Sequence, residues 1–117
     1  MIEVFVIRAD TFMRVEICRW VDDEPQPGIV ECRFTDAIGR EWTFIEKSAV
    51  VSAANLNAES SYPQPATIAC EIVSRSTDDA GQEIVEVSTD KPWGIEAADG
   101  TTVFRVFSHQ LFQENSN

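Results

Sequence analysis

The sequence has few of the residues on which most catalytic and metal sites depend. It holds one histidine, His109, and three cysteines without Cys-x-x-Cys spacing. A Ser–His–Asp triad would have to use His109, which follows the last predicted strand. A zinc site would need Cys18, Cys32, Cys70 and His109 to converge without the short ligand spacing of a zinc knuckle. We therefore expect no enzyme activity, no metal and no cofactor.

Ligand-binding loops and disulfides are also lacking. No glycine-rich phosphate loop occurs in the chain. The acidic runs at 22–24 and 78–79 lack the ligand periodicity of a calcium loop. The three cysteines lie in strand-like runs beside apolar residues, where a free thiol packs as a small hydrophobe. A chain with free thiols is typical of a reducing compartment, and one disulfide plus one free thiol is the alternative.

Long apolar runs are missing as well. No run approaches the roughly 18 apolar residues that a membrane helix needs. The opening Met1-Ile2-Glu3-Val4-Phe5 has neither a basic region nor a small-residue cleavage site, so it does not read as a secretory signal. We expect a cytoplasmic protein that does not bind membranes.

Positive charge is scarce. Twenty acidic residues face nine basic ones, of which two are lysines, and the net charge is −11. Such a field repels nucleic acid and anionic membranes and attracts basic surfaces. Trp42, Phe44 and Trp93 could stack on bases, but the charge opposes nucleic-acid binding. Solubility alone is the simple explanation of the charge, and a basic protein partner is the more specific one.

The residues that are present form short β-rich runs separated by turns. Hydrophobic residues make up 44% of the chain and charged residues 25%, as in a folded globular domain. The alternation of Met13, Val15 and Ile17 with Arg14 and Glu16 is the period-two signal of a half-buried strand. The strands predicted outside the hairpins are residues 2–8, 13–20 and 102–107, and a flexible tail is predicted at 113–117.

A first hairpin is predicted around the turn Asp36-Ala37-Ile38-Gly39. Aspartate at the first turn position and glycine at the fourth suit a type I turn closed by a left-handed glycine. The register that follows makes one face apolar and aromatic. It pairs Phe34 with Trp42 and Cys32 with Phe44.

A second hairpin is predicted around Asp78-Asp79-Ala80-Gly81. Here a simple register fails, because it does not place the apolar residues of the two strands opposite each other. We therefore expect a bulge or a bend that switches faces. The mismatch sets Val85 and Val87 opposite Arg75 and Val73.

The two hairpins belong to an internal repeat. Pro25 to Cys32 matches Pro63 to Cys70 at an offset of 38, with four identities in eight positions. The repeat units are residues 25–51 and 63–91, and neither hairpin can bury its apolar face alone. The sequence thus predicts one all-β domain over 1–117. We expect a small antiparallel barrel or sandwich of six to seven strands, built around two similar β-hairpins.

Residues 52–65 interrupt the strand pattern. They are rich in Ala, Asn, Ser and Pro and make a long connection for a compact domain. One interpretation is a short helix within 52–60, covering Ala53 to Glu59 with Ser52 as its cap. The other is a functional loop.

The first functional hypothesis is a small acidic protein-binding domain without catalysis. Small size, cytosolic location and acidity are also the profile of the immunity or antitoxin proteins of bacteria, which inhibit a partner protein, and this is a likeness of profile alone. Acids and aromatics on loops would meet the basic partner. The predicted contacts are Trp20, Asp22, Asp23, Glu24, Tyr62, Asp78, Asp79 and Trp93.

The alternative is a small-ligand-binding β-barrel or a minor enzyme. Its site would lie at the barrel mouth under loop 52–65. Trp42, Phe44 and Tyr62 would line it, and the two lysines, Lys47 and Lys91, could hold an anionic group. A homodimer paired through an edge strand is a further expectation.

Overall fold

The computed structural model describes residues 10–114. Seven antiparallel strands form one sheet that curls into a half-barrel, with the order β3-β2-β1-β4-β5-β6 and with β7 paired to β1. This confirms the predicted all-β class. The elements are β1 (Thr11–Asp22), β2 (Ile29–Thr35), β3 (Glu41–Lys47), helix α1 (Ser48–Val51), β4 (Gln64–Thr77), β5 (Glu83–Ser88), β6 (Val103–Phe107), a 3₁₀ turn (Ser108–Gln110) and β7 (Leu111–Gln113).

Strand β1 is the centre of the sheet. Its buried residues Met13, Val15 and Ile17 alternate with exposed Arg14 and Glu16, as predicted for the strand at 13–20. Successive side chains of a strand point to opposite faces, so the first set lies in the core and the second lies outside. The strand has two register shifts, between Ile17 and Arg19 and between Trp20 and Asp22. Such shifts add twist and help the sheet to curl.

The two hairpins lie on opposite sides of β1. Strands β2 and β3 form the first, with Phe34 opposite Trp42 and Cys32 opposite Phe44, which confirms the predicted register. Gly39 has φ 88°, the left-handed conformation expected at the end of that turn.

Strands β4 and β5 form the second hairpin. Their register shifts between Ile72 and Ser74, which confirms the predicted bulge. The shift places Val87 opposite Ile72 and leaves Val85 opposite Arg75. Two apolar residues therefore face each other, which a straight ladder does not allow.

The two hairpins are not placed symmetrically. Cys32 of β2 pairs with Ile17, whereas its repeat counterpart Cys70 of β4 pairs with Thr11. The counterpart strands thus meet β1 six positions apart. The internal duplication stays a prediction from the sequence, because the matching residues occupy different levels of the sheet.

Hydrogen bonds made by turn and loop residues hold the sheet in its curled shape. The amide of Ala37 donates to the Arg105 carbonyl at 2.9 Å, which ties the β2–β3 turn to β6. The amide of Ala98 donates to the Thr43 carbonyl at 2.8 Å, and Gln110 Nε2 donates to the Thr35 carbonyl at 2.8 Å. These bonds link strands that are distant in the sheet order.

An aromatic cluster fills the core enclosed by the curl. Phe104 of β6 lies 4.9 Å from the Trp42 ring, 5.5 Å from Phe34 and 5.6 Å from Phe44, between ring centroids. Edge-to-face and tilted rings at these distances are favourable arrangements. Phe44 is fully buried, and Phe104 is 2% exposed.

The short helix lies earlier than predicted. Helix α1 covers Ser48–Val51, and residues 53–59 form turns instead of a helix. Val51 is 1% exposed and packs in the core, which explains why the helical turn forms there. Ser52 follows the helix and does not cap its start; its Oγ accepts from the amide of Ala54 at 3.0 Å.

The other strand predictions have different outcomes. Strand β6 confirms the last predicted strand at 102–107. The strand predicted at 2–8 lies outside the described residues. The tail prediction overlaps β7, which ends at Gln113, and its last three residues also lie outside the described range.

Candidate functional site

Four predicted contact residues lie together where β1 ends and enters the loop to β2. We call Trp20, Asp22, Asp23 and Glu24 the acidic end. Trp20 Nε1 donates to Asp23 Oδ1 at 2.8 Å, and the amide of Glu24 donates to Asp22 Oδ1 at 3.0 Å. Two of the three carboxylates are therefore fixed by hydrogen bonds, while all three acids are exposed.

A glycine lets the acidic end adopt this shape. Gly28 has φ 128°, and a Cβ on it would overlap the six-membered ring of Trp20. Its amide donates to the Pro25 carbonyl at 2.9 Å. The Trp20 ring thus lies directly against the backbone of Gly28, which has no side chain, and it also packs against the core cluster. The sequence pattern gave no sign of this contact.

No basic side chain neutralises the acidic end within the described residues. The ion pairs of residues 10–114 join Arg19 and Arg33 to Glu31, Arg33 to Glu41, Arg40 to Asp99 and Arg75 to Glu83. None involves Asp22, Asp23 or Glu24. These three acids are exposed and pair with no cation of the described residues.

Tyr62 lies at the same end of the sheet as Trp20. It comes two residues before Gln64, which pairs with Ile17 of β1. Its hydroxyl donates to the Asn57 carbonyl at 2.6 Å, and its half-buried ring packs against the core cluster. The register therefore places Tyr62 at the end of the sheet where β1 ends, with its ring packed on the core.

The remaining predicted contacts lie elsewhere. Asp78 and Asp79 occupy the β4–β5 turn, which follows the far end of the 14-residue β4. Fourteen residues of strand span roughly 45 Å of extended chain. Asp78 Oδ1 accepts from the amides of Ala80 and Gln82, so it serves its own turn. Trp93 lies in the β5–β6 connection and is 49% exposed.

The aromatic side chains predicted to line a ligand site at the barrel mouth pack on the core. Phe44 is fully buried, and Trp42 is half-buried with Nε1 donating to Asp36 Oδ2 at 2.8 Å. Val51, Leu56 and Tyr62 from the segment after β3 pack against the same core. Phe44 therefore cannot line an open site, and ligand binding under the 52–65 segment stays a prediction.

A groove lies instead beside the middle of β1. Its volume is about 1070 Å³, and both ends of the 52–65 segment border it. We call it the β1 groove. Its lining comes from β1 (Arg14, Val15, Glu16, Cys18), β2 and β3 (Arg33, Phe34, Thr35, Glu41), residues 51–53, residues 63–67, and the C-terminal part (His109, Gln110, Phe112).

The charged side chains of this groove differ in their partners. Arg33 contacts Glu31 at 3.0 Å and Glu41 at 3.4 Å. The Arg14 guanidinium lies 4.8 Å from the centroid of the Phe112 ring, a cation–π contact. Arg14 and Glu16 form no ion pair with any residue in 10–114. Sequence reasoning missed this groove because its lining comes from distant parts of the chain.

The thiols and the histidine do not assemble into a recognisable catalytic group. Burial raises the pKa of the Cys32 and Cys70 thiols to about 12, so neither is a thiolate near neutral pH. His109 is exposed and stacks on Phe107 at 5.4 Å. Within residues 10–114, no group of three or more His, Cys, Asp or Glu side chains is arranged to hold a metal. The same residues include no helix with the length and apolarity to span a membrane.

Glu46 gives a pH-dependent prediction. Burial raises the pKa of its carboxyl above the ordinary 4.5, although the Lys47 amide and charge oppose the rise. A carboxyl whose folded pKa is raised is stabilising in its protonated form below the unfolded pKa, and that stability is lost as pH rises through the folded pKa. Glu46→Gln should therefore raise the urea midpoint at about pH 7 and change it little at about pH 3.5.

Glu71→Gln is the control for this measurement, because Glu71 is an exposed carboxylate on β4. It should leave the midpoint nearly unchanged at both pH values. An equal gain from Glu46→Gln at both pH values would contradict the titration of Glu46.

Comparisons of the chain with protein-family models, with curated proteins and with solved structures give no match. The function proposed below therefore depends on the residues and geometry alone.

Proposed function

We propose that this protein is a non-catalytic, cytoplasmic binding domain whose acidic end covers a basic site on another protein. The observation that carries the proposal is the group of three exposed carboxylates at 22–24, which form no ion pair within residues 10–114 and lie beside a fixed tryptophan. Opposite charges on two surfaces speed encounter and fix orientation. A tryptophan at the edge of such a patch is a common anchor residue of protein interfaces.

The hydrogen bonds of the acidic end support this role. Asp23 accepts from the Trp20 indole, and Asp22 accepts from the Glu24 amide, so the loop is ordered before it meets a partner. A pre-ordered surface loses less conformational entropy on binding. The net charge of −11 adds long-range attraction toward a basic protein.

We include Tyr62 in the proposed surface because it lies at the same end of the sheet, and we leave Asp78 and Asp79 out of it. A standard interface buries about 800 Å² per partner, which corresponds to a patch roughly 30 Å across. The length of β4 separates the β4–β5 turn from the acidic end by more than such a patch covers. We therefore centre the interface on Trp20, Asp22, Asp23 and Glu24.

The binding role is tested with cytochrome c, a small basic protein. The variant with Asp22→Asn, Asp23→Asn and Glu24→Gln should bind it about tenfold more weakly at low ionic strength, by calorimetry. Wild-type affinity should fall steeply as salt is added, since surface charges are screened within about 10 Å at 0.1 M salt.

The control variant removes the same charge elsewhere. Glu71, Asp90 and Glu96 are exposed and form no ion pair in the described part of the chain, so their replacement by glutamine or asparagine changes the net charge equally. Its affinity should stay within about twofold of the wild type. Equal losses in both variants would mean that net charge alone attracts the partner, and the proposed surface would be wrong.

An inhibitor of the immunity or antitoxin type is the specific form of this proposal. Such a protein would neutralise a toxic partner encoded beside it. Co-expression with the product of the adjacent gene should relieve growth arrest, and the acidic-end variant should relieve it less than the control variant. If the adjacent gene product is toxic and the wild-type chain does not reduce that toxicity, the immunity or antitoxin role is refuted. The cytochrome c titration would still test the binding surface itself.

A further inference from the structure

The β1 groove contains two opposite charges that form no ion pair with any residue in 10–114. Residues 10–114 contain six arginines, and four of them form ion pairs with carboxylates. Arg14 is one of the other two, in a chain with twenty acidic residues. Glu16 lies two residues along the same face of β1 and also forms no ion pair with a described residue. Both side chains line the groove.

Local contacts determine how Arg14 is presented. Its guanidinium lies over the Phe112 ring at 4.8 Å, and β1–β4 pairing places Thr67 directly opposite it. A stacked guanidinium keeps its N–H donors free at the edge of the plane, where they can bind a carboxylate in a bidentate way. The Thr67 hydroxyl lines the groove beside it and can donate to the same ligand group.

We propose that the β1 groove binds a small zwitterion of the amino-acid or short-peptide class, with its carboxylate on Arg14 and its ammonium on Glu16. Two residues of a strand are roughly 7 Å apart. A dipeptide in extended form separates its terminal charges by about the same distance. The backbone spacing of Arg14 and Glu16 is therefore on the scale of a ligand that carries both charges.

The rest of the groove fits the body of such a ligand. Phe34, Pro63, Pro65 and Phe112 supply apolar surface beside the two charges. The volume of about 1070 Å³ exceeds what one amino acid fills and lies near the upper end of ordinary ligand sites.

Net charge favours a zwitterion over a simple anion. The protein carries −11, so a free anion is repelled at long range, whereas a zwitterion has no net charge to repel. A simple cation would be attracted, but it would give Arg14 no carboxylate and would add a further positive charge to a groove that Arg14 and Arg33 already line. A ligand with both charges satisfies both side chains.

The test uses the dipeptide Leu-Phe as the probe with the full chain labelled for amide NMR. Leu-Phe should shift the amides of residues 14–18 and of Thr67. N-acetyl-Leu-Phe, which lacks the ammonium, and Leu-Phe amide, which lacks the carboxylate, should each bind about tenfold more weakly. The same titration is repeated with free phenylalanine. If phenylalanine binds as tightly as Leu-Phe, the ligand is an amino acid, and if it binds more weakly, the ligand is a peptide.

Two variants separate the charges. Arg14→Gln should bind Leu-Phe and its amide equally, and Glu16→Gln should bind Leu-Phe and its acetyl form equally. Arg105→Gln is the control, because Arg105 is an exposed arginine outside the groove that also lacks an ion pair within 10–114. The NMR spectrum of each variant reports whether it is folded.

Three outcomes would overturn the proposal. These are no shifts at millimolar Leu-Phe, shifts outside the groove, and equal affinity of the wild type for all three forms of the dipeptide. None of them bears on the binding of a basic protein at the acidic end, so this proposal and the proposed function can fail independently.

Discussion

Phe104→Ala should destabilise the protein by about 3–5 kcal/mol, the range for removing a buried aromatic ring. Phe104 is 2% exposed and contacts the rings of Phe34, Trp42 and Phe44. These partners come from β2 and β3, at the opposite end of the sheet order from β6. Removing the ring therefore loosens the contact by which the two ends of the curled sheet hold together. Urea denaturation followed by circular dichroism measures the loss.

Two variants set the scale for this result. Phe104→Leu keeps most of the apolar volume and should cost less than half as much. Phe112→Ala removes a half-buried ring that contacts Phe12 at 5.4 Å on the outer face, and it should cost about 1 kcal/mol. A loss for Phe104→Ala no larger than that for Phe112→Ala would contradict the arrangement of the core.

Asp36→Ala should cost about 3 kcal/mol, which is large for a residue in a turn. Asp36 is 6% exposed. Its Oδ1 accepts from the amides of Ile38 at 3.0 Å and Arg40 at 2.9 Å, and its Oδ2 accepts from Trp42 Nε1 at 2.8 Å. Alanine would leave three donors without their acceptor, and the indole is half-buried. The loss is measured from the midpoint of thermal unfolding.

The second hairpin supplies a matched control. Asp78 holds the equivalent turn position and accepts from the amides of Ala80 at 3.0 Å and Gln82 at 2.8 Å, but it has no indole donor. Asp78→Ala should therefore cost about 1 kcal/mol, because water can reach the freed amides. Equal losses at the two positions would show that the Trp42 contact adds nothing to stability.

Local patterns in the sequence predicted the parts of the fold that local chemistry decides. The Asp-x-x-Gly turn fixes which residues of β2 and β3 are opposite, so the pairing of Phe34 with Trp42 followed directly. The mismatch of Val85 and Val87 with their partners predicted the bulge near Val73. In each case a turn residue and the period of two were sufficient.

Features that depend on long-range packing escaped prediction. The helix forms at Ser48–Val51 because Val51 reaches the core, although Ser52 and the residues after it have the stronger local signal for a helix start. The pairing of Cys70 with Thr11 also depends on the whole sheet. A repeated sequence motif predicted similar hairpins but gave no information on their unequal levels along β1.

The two candidate sites also contain features that the sequence predicts and features that it does not. The charge of the acidic end is visible in three consecutive letters of the sequence. Its shape depends on Trp20 lying against Gly28, a contact between residues eight positions apart. The β1 groove could not be predicted from the sequence, because its lining comes from distant parts of the chain. The sequence also does not show that Arg14, unlike four other arginines of residues 10–114, forms no ion pair there.

The most direct test of the proposed binding surface uses two indole signals. In an amide NMR titration with reduced cytochrome c, the Trp20 indole, bonded to Asp23, should shift together with the amides of residues 22–28. The Trp42 indole, bonded to buried Asp36, should stay in place. Shifts centred on residues 78–82, or spread evenly over all acidic residues, would contradict a docking surface at the end of β1.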